Sequence, residues 1–185
     1  RQGLLYSNLS AKKNAEGWGA MKYPQLVLGM LALFLYVGVE VAIGSNLGEL
    51  LTLKEFGSLQ SSQITPYVSM YWGSMMIGRW AGAISAFKLA KSTKQLLLII
   101  VPFIAFSVII GVNTLAGFEM SHLYFYAVCI AIQIIAFFLS KEKPVRTLII
   151  FGLFGIGAML TGLLTSGVVA IYAFLAGGLA CSIMW

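Results

Sequence analysis

Charged side chains are scarce in this sequence. They make up 10% of its 185 residues, whereas soluble globular chains carry about 25%, and the mean hydropathy is +0.91. A soluble domain of this length is therefore excluded. The chain also has only two cysteines and one histidine. Their positions show no metal-ligand spacing, so we expect neither a metal nor another cofactor.

Long apolar runs take up most of the chain. Most are close to the ~20 residues that a membrane helix needs, and they do not alternate with period two, which excludes strands. The sequence predicts an all-α, polytopic transmembrane helix bundle with six membrane helices, preceded by a loop over residues 1–24. The six predicted spans cover residues 25–50, 66–88, 96–116, 122–139, 146–165 and 168–185.

Basic residues lie in alternate loops between these spans. The three basic loops carry Arg1, Lys12, Lys13 and Lys22, then Lys88, Lys91 and Lys94, then Lys141, Lys143 and Arg146. The opposite side has only Lys54, next to Glu55, and Glu119. This pattern follows the positive-inside rule and predicts a multi-pass protein of the inner (plasma) membrane whose start is cytoplasmic. The net charge of +6 then reflects topology, and nucleic acid is not an expected partner.

Glu40 lies near the middle of the first predicted span, in the stretch LVLGMLALFLYVGVEVAIGSNLGELL. A carboxylate at such a depth costs about 2.5–3.5 kcal/mol on insertion scales. Proteins tolerate this cost mainly when the group faces a polar cavity or a partner. Glu40 is therefore either a working group or half of a buried ion pair. Tyr36 lies one helical turn before it and can share a ligand with it.

The second predicted span carries a stripe of small residues, including Gly78 and Gly82, that is typical of close helix packing. Between them, Arg79 lies toward the cytoplasmic end, where its stem can snorkel. Its guanidinium can bind helix carbonyls or a carboxylate elsewhere in the bundle, which would latch the cytoplasmic side shut. Tyr71 and Trp72 lie deeper, where they form either an interfacial aromatic belt or a stacking platform in a cavity.

Three stretches together resemble a known family: YVGVEVAIGSNLGELL (36–51), MYWGSMMIGRWAG (70–82) and GGLACSIMW (177–185). They are similar to the C-terminal half of sugar–proton symporters in the fucose–galactose–glucose branch of the major facilitator superfamily, and most of all to the bacterial glucose/galactose transporter type. One departure is that three predicted helices lie between the span that contains GRWAG and the last span, where fucose permease-like members have one. Since the chain starts at Arg1 and stops at Trp185 inside an apolar run, we expect it to be a piece of a longer transporter.

The resemblance implies two groups of site residues. It places Glu40 at the central cavity, with Trp185 on the cavity wall, and it makes Arg79 a gate residue rather than a ligand. The predicted substrate-binding or coupling residues are Glu40, Tyr36, Asn46, Trp72 and Trp185, and the predicted gating residues are Arg79, Gly78 and Gly82.

The resemblance further implies secondary active uptake of a hexose of the glucose, galactose or fucose class, by alternating access and coupled to H⁺ or Na⁺. The partners are then the sugar, the ion, the lipid bilayer and the remaining half of the transporter. Two alternatives stay open: a non-transport subunit of a membrane complex, and a drug or metabolite exporter of the same superfamily. An intramembrane enzyme is disfavoured, because the spans contain no aspartate and the single histidine, His122, lies at a span edge.

Overall fold

The computed structural model describes residues 17–140 and 143–182, and their side chains except at 17, 18, 20, 85 and 86. Within these ranges the chain forms six α-helices and no strand, which confirms the predicted all-α helical membrane bundle. The helices are α1 (Pro24–Thr52), α2 (Ser61–Ala86), α3 (Lys91–Leu115), α4 (Tyr126–Ser140), α5 (Pro144–Leu164) and α6 (Gly167–Cys181). Short 3₁₀ turns lie at Gly17–Lys22, Lys54–Phe56 and Ser121–Leu123.

Four segments within the described ranges are long and apolar enough to cross a membrane. They are α1, α3, α5 and the continuous stretch Ser121–Ser140, which contains α4. The apolar helix α6 is shorter, with 15 residues. Helix α2 has 26 residues and begins before the apolar run that predicted it, because the polar turn at its start is also helical. There the side-chain oxygen of Gln63 accepts a hydrogen bond from the backbone N–H of Gln60 at 3.1 Å.

The chain divides into two units at a point inside α1. The first unit ends at Val39 and the second runs from Glu40 to Trp185. Along residues 24–39, α1 exposes large apolar side chains at successive positions, among them Leu28, Leu31, Phe34 and Leu35. A helix that is apolar on every side suits hydrocarbon rather than water.

In the second unit, α6 is the most enclosed helix. Its residues are buried from Ala173 through Cys181 without interruption. It packs against α2, α4, α5 and the 3₁₀ turn Lys54–Phe56, while α2 also packs against α3. The sequence GVVAIYAFLAGGLAC explains this position, since small residues on several faces let neighbouring helices approach closely.

Polar contacts between helices supplement this packing. Asn113 on α3 is buried, and its side-chain amide donates to Ser69 Oγ on α2 at 2.8 Å. Tyr126 on α4 is fully buried, and its hydroxyl donates to the backbone carbonyl of Leu175 on α6 at 2.9 Å. In an apolar interior, such bonds satisfy groups that would otherwise be desolvated without a partner.

Candidate functional site

Glu40 and Arg79 form an ion pair between α1 and α2. Arg79 Nη2 donates to Glu40 Oε1 at 3.1 Å. The Glu40 side chain is 10% exposed and the Arg79 side chain 46% exposed. The sequence predicted that Glu40 is either a working group or half of a buried ion pair, and the structure contains the ion pair. The partner is Arg79, which the sequence predicted as a gate residue.

The burial of the two partners is unequal, and this shapes the electrostatics. The guanidinium offsets the charge of a carboxylate that lies inside an apolar bundle. Without this partner, a carboxylate in such surroundings would be strongly destabilising. About half of the Arg79 side chain is not covered by other residues. The pair thus allows a charged group to lie at depth without burying both ions.

The second carboxylate oxygen of Glu40 is also buried, but Oε2 accepts no hydrogen bond from any residue in the described part of the chain. A carboxylate can accept about four hydrogen bonds, and a buried acceptor left unsatisfied is destabilising by about 1–3 kcal/mol. Oε2 is therefore a buried acceptor that has no hydrogen-bond donor among the described residues.

Tyr71 on α2 lies directly beside this pair, with none of its surface exposed. Its hydroxyl donates to the backbone carbonyl of Glu40 at 2.9 Å. Its ring lies between two glycines: a methyl group added at Gly44 would be 3.0 Å from Cε1, and one added at Gly178 would be 2.7 Å from Cε2. Both α1 and α6 thus need glycine where they meet this ring, because any side chain would collide with it.

Trp72 is the exposed aromatic of the site. It is 46% exposed, and its ring meets that of Tyr71 edge-on, with centroids 5.7 Å apart and planes at 81°. It also packs on Gly44, where an added methyl group would lie 2.7 Å from its ring. Because Trp72 and Arg79 are two helical turns apart, they lie on the same face of α2.

The predicted gating glycines have different surroundings. A methyl group added at Gly78 would lie 1.5 Å from Ser182 Oγ and 2.9 Å from Gln133 Nε2, so α2 passes very close to α6 there. A methyl group added at Gly82 would meet no atom of residues 17–140 and 143–182 within 4 Å. Gln133 and Ser182 are buried and joined by a long hydrogen bond of 3.5 Å. Close packing thus applies to Gly78 and not to Gly82.

Three further residues were predicted for the site: Asn46, Tyr36 and Trp185. Asn46 is exposed, and its side-chain amide donates to the carbonyl of Ala42 on its own helix at 2.7 Å. Tyr36 belongs to the first unit, whereas the ion pair belongs to the second. Trp185 lies outside the described residues. Among the residues that are described, no cluster of three or more histidine, cysteine or acidic side chains could hold a metal ion.

Parts of the sequence are similar to sugar transporters. The chain is 37% identical over 75 residues to "Glucose/galactose transporter" of Brucella abortus biovar 1 (strain 9-941), a stretch that is 40% of this chain and 18% of that protein. It is 34% identical over 106 residues to "Putative glucose/galactose transporter" of Helicobacter pylori (strain ATCC 700392 / 26695), a stretch that is 56% of this chain and 25% of that protein.

These similarities cover only a minor part of each relative, at most a quarter of its length. No protein-family profile matches the chain, and no solved structure matches it. What the relatives and the helices together support is a multi-pass membrane protein related in part to sugar transporters.

Proposed function

We propose that this chain is part of a secondary active transporter that takes up a hexose sugar of the glucose, galactose or fucose class. The observation that carries the proposal is a buried, half-satisfied carboxylate, Glu40, held by Arg79 inside an apolar helix bundle. Intramembrane acids are expensive and are typical of substrate and ion pathways. The partial similarity to glucose/galactose transporters supports a sugar as the substrate.

The chemistry of the site suits a sugar. A hexose offers hydroxyl groups and an apolar C–H face. Glu40 Oε2 can accept a hydrogen bond from a sugar hydroxyl without breaking the bond between Oε1 and Arg79. The guanidinium of Arg79 holds Oε1 in place, so that Oε2 keeps a fixed position. The exposed indole of Trp72 offers a flat apolar surface for the C–H face.

Coupling to a cation follows from the same pair. Protonation of Glu40 would remove the charge that holds Arg79, and the link between α1 and α2 would weaken. Transport would then proceed by alternating access, in which this helix bundle rocks against the remaining half of the transporter. We propose H⁺ as the coupling ion, with Na⁺ as the alternative, and an inner-membrane location with the start of the chain on the cytoplasmic side.

The test is counterflow of labelled glucose, galactose and fucose into proteoliposomes that contain the full-length protein. We expect wild-type protein to exchange at least one of them, and Glu40→Gln to lose uptake, because the neutral amide releases Arg79 and is a weaker acceptor. Glu49→Gln is the matched control, since Glu49 is an exposed acid on the same helix. Wild-type accumulation by Glu40→Gln would remove Glu40 from the mechanism, and absence of exchange by the wild type would refute the proposal.

A further inference from the structure

Tyr71 connects three helices at the ion pair. Its hydroxyl bonds the backbone of Glu40 on α1, one edge of its ring packs on Gly44 of α1, and the other edge packs on Gly178 of α6. An α-helix already supplies one donor to the Glu40 carbonyl, the N–H four residues later. The phenol is a second donor to the same oxygen, and it comes from a different helix.

We propose that Tyr71 is a positioning residue that sets the register of Glu40 against Arg79. By fixing both the backbone at Glu40 and the spacing between α1 and α6, it keeps Oε1 on the guanidinium while Oε2 remains a buried acceptor. Tyr71 itself is fully buried, so it acts on a ligand through Glu40. The transport readout of this inference rests on the proposed hexose uptake, whereas the second readout below does not.

The surroundings of Tyr71 argue for a defined geometry rather than filling of space. Two glycines on two different helices are matched to the two edges of one ring, and a third neighbour, Ser74, donates to the Tyr71 backbone carbonyl at 2.5 Å. A ring that is packed at both edges has little freedom to rotate. Because the hydroxyl is buried, it cannot exchange its hydrogen bond to the Glu40 carbonyl for one to water. The position of the Glu40 backbone is therefore coupled to a rigid side chain.

Tyr71→Phe is the test variant, because it removes the hydroxyl and keeps the ring. We expect the KM for hexose in the full-length protein to rise roughly two- to tenfold, the effect of losing one hydrogen bond, with the maximal rate within twofold of wild type. Tyr126→Phe is the matched control: it is equally buried, and its hydroxyl also donates to a backbone carbonyl at 2.9 Å. An unchanged KM in Tyr71→Phe, or an equal rise in Tyr126→Phe, would overturn the proposal.

A double-mutant cycle on unfolding of the detergent-solubilised full-length protein gives an answer that is independent of transport. Residues that act through one another show non-additive effects. We expect the shifts in unfolding midpoint of Tyr71→Phe and Arg79→Gln not to add, and those of Tyr126→Phe and Arg79→Gln to add. Additivity in both pairs would refute positioning by Tyr71. If wild-type protein moves no hexose, the proposed function fails and this cycle still decides the role of Tyr71.

Discussion

Glu40 and Arg79 offset each other's charge inside an apolar bundle. Neutralising one of the two side chains therefore leaves the charge of the other without a counter-ion. Removing one member of a fully buried pair costs about 3–5 kcal/mol, whereas replacing both is often neutral. Because half of the Arg79 side chain is exposed, the cost here should lie below that range. Stability and binding can therefore be separated by comparing single and double neutral variants.

We expect Glu40→Gln and Arg79→Gln each to lower the unfolding midpoint of the full-length protein, and the double variant to return close to wild type. Hexose exchange should stay lost in the double variant, because the carboxylate that we propose as the acceptor for sugar hydroxyls is gone. Thermal unfolding in detergent and counterflow in proteoliposomes measure the two effects. If the double variant is as unstable as the sum of the single variants, the contact between the two residues contributes nothing to folding.

The sequence predicted half of this arrangement. It singled out Glu40 because a lone acid stands out in an apolar span, and it indicated that Arg79 can bind a carboxylate. It did not pair the two, because that depends on the register between α1 and α2. For Tyr71 the sequence allows either a place in an interfacial aromatic belt or a stacking role in a cavity. It does not predict the packing of the Tyr71 ring, because Gly44 and Gly178, which contact that ring, are far apart in the chain.

At the scale of the elements, α2 contacts the end of α6 at one point of its small-residue stripe. Gly78 lies against Ser182, whereas a methyl group added at Gly82, one turn later on the same face, would meet no atom of the described residues within 4 Å. Apolar length alone could predict where the helices lie, but it does not distinguish these two glycines. Both belong to the same small-residue stripe, and only the crossing point with α6 separates them.

Gly78→Ala should be destabilising by about 1–3 kcal/mol, the usual cost of overpacking. Gly82→Ala should be neutral or slightly stabilising, because alanine favours the helix by about 1 kcal/mol over glycine. Unfolding midpoints of the two variants provide the measurement. Ser182→Gly, which removes the nearest of the colliding atoms but leaves Gln133 Nε2, should restore part of the stability of Gly78→Ala. Equal effects of the two alanine variants would contradict the close approach of α2 to α6.

At the scale of the whole molecule, the distribution of basic loops predicts orientation. The loop that carries Lys88 should be cytoplasmic, and the turn that contains Ser58 should lie on the opposite side. No contact within the bundle tests this, since orientation depends on the membrane. The central position of α6 was equally beyond prediction, because every span is apolar and apolarity does not rank the helices by burial.

Single-cysteine accessibility in intact cells tests the orientation. In a background in which every cysteine of the full-length protein, Cys129 and Cys181 among them, is replaced by alanine, we expect Ser58→Cys to react with a membrane-impermeant thiol reagent. Lys88→Cys should react only after the cells are opened. The opposite pattern would invert the topology. Protein level and hexose exchange of the cysteine-free background serve as the control for folding.

The enclosure of α6 has a practical consequence for anyone who wishes to follow motion in this protein. Spin labels and fluorophores add volume, and every residue from Ala173 through Cys181 is buried. A probe attached there would therefore disturb the helix packing that it is meant to measure. The face of α3 that carries Ile100, Ile104 and Val108 is exposed. Probes for distance measurements belong on that face, with α6 as the unlabelled frame.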